Sequence, residues 1–121
     1  MHELSIALDL VEICAAEAAR LGNVRIDAVH VRIGRLSGVV SEALLFSFDV
    51  ATAGTVIDGA RLEIETEPVV VWCAGCQDHR ELSDLQHRRC PVCKQLCPQI
   101  ISGDALQLIA LSVVDHATAH S

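Results

Sequence analysis

Cys73-Ala-Gly-Cys76 and Cys90-Pro-Val-Cys93 are two Cys-x-x-Cys pairs with thirteen residues between them. Each pair places two thiolates on one tight turn, and two facing turns supply four sulfurs in a tetrahedron. That donor set suits a closed structural zinc(II) site, with no coordination position left for water or substrate. The spacer is slightly shorter than the roughly 15–20 residues usual for paired Cys-x-x-Cys zinc modules, and a short β-hairpin fits inside it. The spacing therefore predicts a zinc ribbon over residues 72–98. Disulfides and an iron–sulfur cluster are the alternatives. A disulfide framework belongs to short secreted chains, and a thioredoxin-type redox site is one such pair, not two facing each other. Zinc also explains how so short a segment folds with little core, since a structural site is worth on the order of 10–16 kcal/mol.

The rest of the 121-residue chain can bury a core of its own, because 51% of all residues are hydrophobic. Trp72, Phe46 and Phe48 are the only aromatics, so that core must be aliphatic. No apolar run approaches the roughly 18 residues of a membrane span. The first basic residue is Arg20, so no secretory n-region is present and a cytoplasmic setting is expected. Charge is uneven: residues 72–98 carry a net +1 and the remainder a net −8. An acidic protein with one Arg88-Arg89 pair lacks the basic footprint that nucleic-acid binding requires. No activated nucleophile or paired-carboxylate arrangement is visible, and four cysteines leave a zinc no open position, so an enzyme is not expected.

Taken in order, Leu4 to about Leu21 is helical, with Leu4, Leu8, Val11, Ala15 and Ala18 on the apolar face and Ile6, Leu10 and Ile13 widening it. Gly22-Asn23 ends that helix. Val24–Ile33 alternates as a strand, with Val29, Val31 and Ile33 inward and His30 and Arg32 outward. After the loop Gly34–Gly38, Ser41 is positioned to cap a second helix that buries Leu44, Leu45, Phe48 and Ala51. Leu62, Ile64 and Thr66 alternate with Glu63, Glu65 and Glu67 on a half-exposed strand, whose glutamates read as a solvated edge or a docking surface. Ala105–Val113 is a strand apolar on both faces, which suits a central or well-covered place. Residues 114–121 form a frayed tail. The expected architecture is α/β: a small three-stranded mixed sheet with two helices, from 1–71 and 99–121, and the inserted zinc ribbon at 72–98.

His2 beside a terminal amine offers a second metal site. Amine, backbone amide and imidazole nitrogens close adjacent chelate rings in a plane, which favours nickel(II) or copper(II) over zinc. Taken alone, a His at position two is usually a solvated side chain. Three motifs in this order change that weight: Met1-His2-Glu3-Leu4-Ser5, Ile33-Gly34-Arg35-Leu36-Ser37-Gly38-Val39, and the paired Cys-x-x-Cys. Together they resemble the HypA/HybF family of hydrogenase nickel-insertion proteins, and the resemblance spans essentially the whole chain.

The resemblance implies a metallochaperone that binds nickel(II) at its N-terminus and delivers it for [NiFe]-hydrogenase maturation, with some members also serving urease. His2 becomes the principal nickel ligand, supported by backbone nitrogens of Met1 to Glu3, and Glu3 an auxiliary ligand or partner contact. Cys73, Cys76, Cys90 and Cys93 become the zinc ligands, four buried thiolates that a partner cannot strip. The implied partners are a nickel-handling GTPase and the hydrogenase large-subunit precursor, with neither nucleic acid nor membrane; a homodimer is left open. The family pattern puts an acidic residue where this chain has Val40, with Glu42 two residues on. The competing reading is a zinc-ribbon adaptor for protein or nucleic acid, in which His2 would be dispensable.

Other candidates carry less. Cys97 reads as a spare packing thiol or a substitute zinc ligand, and Cys14 as core. His79 and His87 read as surface residues, or as ligands that exchange with a cysteine when pH or nickel loading changes. His30, His116 and His120 read as surface.

Overall fold

The computed structural model describes residues 3–114. Its elements in chain order are α1 (Glu3–Arg20), β1 (Arg25–Gly34), α2 (Ser41–Thr52), β2 (Arg61–Glu67), β3 (Val69–Cys73), β4 (Asp78–Leu82), β5 (Ile100–Ser102) and β6 (Leu106–Val114). Among the described residues no helix is long and apolar enough to cross a membrane. His2, His116 and His120 lie outside the described residues.

α1 ends as the Gly22-Asn23 pair requires. Both take positive φ, 90° and 62°, and their amides donate to Ala19 and Ala18 at 3.1 and 2.8 Å, the paired bonds of a Schellman stop. The buried stripe of α1 is Ala7, Leu10, Cys14 and Ala18, not the stripe through Leu4 and Leu8, which are 45% and 51% exposed. This helix is apolar nearly all round, so periodicity alone does not choose its face. Three small side chains on the buried stripe are what permit close packing. Cys14 is core, and burial raises its thiol pKa to about 11.

α2 starts without the expected cap. Ser41 is already helical, and the cap position is Val40, whose side chain makes no capping hydrogen bond. α2 buries Leu44, Phe48 and Thr52, while Leu45 is exposed. Phe48 is fully buried, so Phe48→Ala is expected to cost about 3–5 kcal/mol, read as a lowered denaturation midpoint in urea.

Two three-stranded sheets form, in the orders β2-β1-β6 and β4-β3-β5. The first is mixed. Along β1 and β2 the ion pairs Asp27–Arg61, His30–Glu63 and Arg32–Glu65 advance together, so these strands run parallel, with α2 as the crossover between them. On the other side Gly34 bonds Ala105 and His30 bonds Ser112, so β6 runs antiparallel.

Three sequence expectations change here. β6 is an edge strand, not a covered one, and Ile109, Val113 and Val114 are 38–45% exposed. A run of apolar residues without a charge does not distinguish a central strand from an unguarded edge. The glutamate row of β2 is not merely solvated: Glu63 pairs with His30 and Arg61, and Glu65 and Glu67 with Arg32. His30 is half-buried, not plain surface. Its Nδ1 lies 3.5 Å from Glu63 and its Nε2 3.0 Å from Ser112.

The chain divides into two compact units. One takes the chain up to Val31, Val39–Ile64 and from Leu108 on; the other takes Arg32–Gly38 and Glu65–Gln107. The first has an aliphatic core with Phe48, Leu44, Ile57, Ile26 and Val29 among its largest fully buried side chains. The second is built on β3, which pairs antiparallel with β4 from Val69–Leu82 to Cys73–Asp78, and with β5 on its other edge.

Within the second unit Gly34 and Gly103 meet backbone to backbone. Gly103 sits at φ +97°, and an added Cβ would stand 2.5 Å from the Pro68 oxygen and 2.7 Å from the Val69 Cα. Its amide donates to the Glu67 carboxylate at 3.1 Å. Gly103→Ala combines left-handed strain with a backbone clash and should cost at least about 2 kcal/mol, measurable as a lower thermal midpoint at fixed zinc.

Candidate metal centre

The first Cys-x-x-Cys pair is the turn of the β3–β4 hairpin, so the hairpin straddles that pair rather than lying in the spacer. Cys73 closes β3 and Cys76 lies in the turn. The second pair is a turn closed by an isolated bridge between Arg89 and Leu96. Both turns are built alike. The amide of Cys76 points at Cys73 Sγ at 3.4 Å, and those of Val92 and Cys93 at Cys90 Sγ at 3.3 and 3.4 Å. The residue after each second cysteine, Gln77 and Lys94, takes positive φ, 52° and 67°. Gly75 lies in a tight place, where a Cβ would strike the Gln95 side chain and stand 3.4 Å from Cys93 Sγ.

The two turns bring the four sulfurs within 4.8 Å of one another. Cys73 and Cys93 are 3.4 Å apart and Cys76 and Cys90 3.8 Å. All four are free thiols, far outside the roughly 2.0 Å of a disulfide. A tetrahedron with zinc–sulfur bonds of about 2.3 Å has edges of about 3.8 Å, so the donor set fits zinc(II). Cys73, Cys76, Cys90 and Cys93 would hold it, and zinc, when bound, supplies a fourfold crosslink between the turns. The sulfurs are not all buried as expected: Cys73 and Cys90 are, Cys76 is half-buried and Cys93 exposed. A module this thin covers one member of each pair.

The turn amides prepare the buried members to be thiolates. Those of Cys93 and Val92 pull the Cys90 pKa down to about 6, and that of Cys76 lowers Cys73. Cys76 moves the other way, to about 12, because Cys93 and burial disfavour a further charge. Without a metal, four thiolates repel one another, and a divalent cation relieves that.

Cys97 stays outside the cluster as a packing thiol. It is fully buried in a core with Val69, Val71, Leu82, Cys73 and Cys90, and its Sγ–H faces the Gln95 carbonyl at 3.4 Å. His79 and His87 face other partners: the His79 ring stands edge-on to Trp72 at 5.4 Å, and His87 Nδ1 lies 2.8 Å from Asp84.

Arg80 escaped the sequence reading. It pairs with Val71 across the hairpin, on the face where Leu82 and Val69 are buried, and its side chain is only 25% exposed. Its Nη1 donates to Asp78 at 3.1 Å and to the His79 carbonyl at 3.0 Å. Its Nε–H is buried and has no hydrogen-bond partner among the described residues. Asp78 first, and then Cys76, raise the guanidinium pKa, with Cys90 contributing less. Placing the hairpin across the first cysteine pair would have revealed the inward position, because alternation from Leu82 leads to Arg80.

Of the N-terminal candidates, Met1 and His2 lie outside the described residues. Glu3 opens α1, and its carboxylate accepts the Val40 amide at 3.0 Å. That bond brings Val40 beside Glu3. Glu42 is exposed in the first turn of α2.

The family model described as hydrogenase/urease nickel incorporation, metallochaperone, hypA matches residues 1–113. A hydrogenase maturation factor HypA from Roseiflexus sp. (strain RS-1) is 51% identical over 115 residues, covering 95% of this chain and 94% of the relative. One from Chloroflexus aurantiacus is 50% identical over 111 residues, covering 92% and 97%. The solution structure of the Ni metallochaperone HypA from Helicobacter pylori shares the fold, with a TM-score of 0.70 over 96% of this chain and all of that one, at 24% identity. A match running through residue 113, with relatives half identical over nearly their whole length, makes the chain a member of the HypA family, the metallochaperones of nickel incorporation into hydrogenase and urease.

Proposed function

We propose that this protein binds nickel(II) through Met1, His2 and Glu3 and delivers it for maturation of [NiFe]-hydrogenase, with urease as a further destination. It acts as a carrier and not as an enzyme. The family match beginning at residue 1 carries this reading, because it includes the Met-His-Glu start. Residues 1–71 and 99–121 form the nickel-handling domain, and 72–98 the ribbon, where Cys73, Cys76, Cys90 and Cys93 hold a structural zinc. The receivers are a nickel-handling GTPase of the maturation pathway and the hydrogenase large-subunit precursor, and the site of action is the cytoplasm.

Two sites of different character suit a carrier. Nitrogen ligands at a chain end can be taken over by a partner, whereas a thiolate cage tied into a fold exchanges slowly. Imidazole and amine must both lose a proton to bind, so nickel affinity falls as pH drops. Calorimetric nickel titration of the chain with its native Met1, with zinc quantified in the same samples, tests the reading. A single nickel per chain beside a single zinc is expected. Nickel uptake that displaces zinc, or that survives blocking of the terminal amine, would move the nickel site elsewhere.

A further inference from the structure

We propose that β6 is a docking edge for another protein: an extended apolar segment carrying a lysine or arginine adds to it as a fourth strand and seats alternate side chains in the groove between β6 and α1. Neither metal site takes part.

A sheet edge presents a row of unpaired N–H and C=O groups, and proteins guard such rows with charge, proline or cover. At one edge of its sheet β2 is guarded, with Arg61 and Glu63 at alternate positions. At the other edge β6 is not. It pairs with β1 alone, and Leu106–Val114 holds no charged residue and no proline. Its two faces differ. Ser112 meets His30 on the polar face, so alternation sends Ile109, Leu111 and Val113 to the other. There Ile13 and Leu21 of α1 complete a groove of about 410 Å³. Ile13, Leu21, Ile109 and Val113 are each 39–51% exposed. An open strand edge beside a helix-walled apolar groove is the geometry of strand addition, in which the backbone ladder supplies affinity and the groove reads alternate side chains.

The rim decides the occupant. Glu17, at the groove, already holds Arg20. Ile13 also borders a shallow hollow with Asp9 and Glu12, and neither carboxylate has a basic partner among the described residues. A second copy joined through β6 would bring a second α1 with the same carboxylates to a chain already at −7. A segment with a lysine or arginine beyond its apolar stretch neutralises them instead.

The test pans a phage library of random linear peptides against the full zinc-loaded chain, and the recovered peptides are synthesised. They should alternate apolar residues and carry a lysine or arginine, and their binding should protect alternate β6 amides from hydrogen exchange. Ile13→Lys and Ile109→Lys alter exposed positions and should each weaken binding about tenfold or more; Ile13→Ser and Ile109→Ser replace any lysine variant that fails to fold. Glu12→Gln should weaken binding about two- to threefold, the size of an exposed ion pair. A library that yields no binder, binding at wild-type strength by the groove variants, or binding that leaves β6 amides unprotected would each overturn the proposal. Protection of β6 in the chain alone would overturn it too. If dilution removes that protection, a second copy holds the edge; if deletion of residues 115–121 removes it, the chain's own tail does.

Discussion

Cys90→Ala is expected to abolish zinc binding and unfold the second unit, with β3, β4 and β5 losing amide protection together. That unit's buried cluster has three aliphatic members, Val69, Val71 and Leu82, beside three cysteines. So few buried aliphatic side chains make a thin core for a unit of this size, and a structural zinc supplies folding free energy that such a core lacks. Cys90 is the most damaging ligand to remove, because its sulfur is fully buried and receives two turn amides. Cys93→Ala, at the exposed corner, should leave a weaker site that still takes metal at high zinc. Hydrogen exchange on zinc-loaded, chelator-stripped and variant chains reads this directly. Protection of β3 that persists after stripping would show that the aliphatic cluster suffices and that zinc is not structural.

His2→Ala is expected to lower nickel affinity by more than about 100-fold, beyond the range set by losing a residue that merely orients a ligand. Zinc content and helical signal should not change, since position 2 precedes α1 and the four cysteines are elsewhere. A single residue added before Met1 should do comparable harm, because it turns the terminal amine into an amide. Glu3→Gln is the contrasting variant. The amide oxygen of glutamine can still accept the Val40 N–H that Glu3 accepts at 3.0 Å, so its effect should be several-fold and no more. Calorimetry on the three chains separates these cases, and nickel binding by His2→Ala at wild-type strength would remove the N-terminal site from consideration.

What could be read from sequence follows from how strongly each pattern excludes alternatives. The paired cysteines fix spacing, chemistry and geometry together, and the sulfurs do converge. The order of the two helices and of β1, β2 and β6 was legible from turn residues such as Gly22-Asn23 and from the alternation of Val29, Val31 and Ile33, whereas β3 and β5 were not read as strands. What stayed hidden were choices among equally apolar options. α1 could bury more than one face, and β6 reads the same as edge or centre. Ser41 could cap a helix, but the backbone turns helical one residue too early for it to do so. Polar residues that meet across strands were also hidden. His30 finds Glu63 and Ser112, and Arg80 turns inward, only once register is known.

The second unit is not a continuous stretch of chain. Its long segment from Glu65 to Gln107 is completed by Arg32–Gly38, whose Gly34, Arg35 and Leu36 amides bond Ala105, Glu67 and Gly103 at 2.8–3.1 Å. A gene fragment encoding only the cysteine-bearing stretch would therefore leave those three carbonyls without partners and Gly103 without its neighbour. Grafting this metal module into another scaffold requires two splice sites and a donated strand end, so exchange by recombination between relatives should preserve both segments or neither.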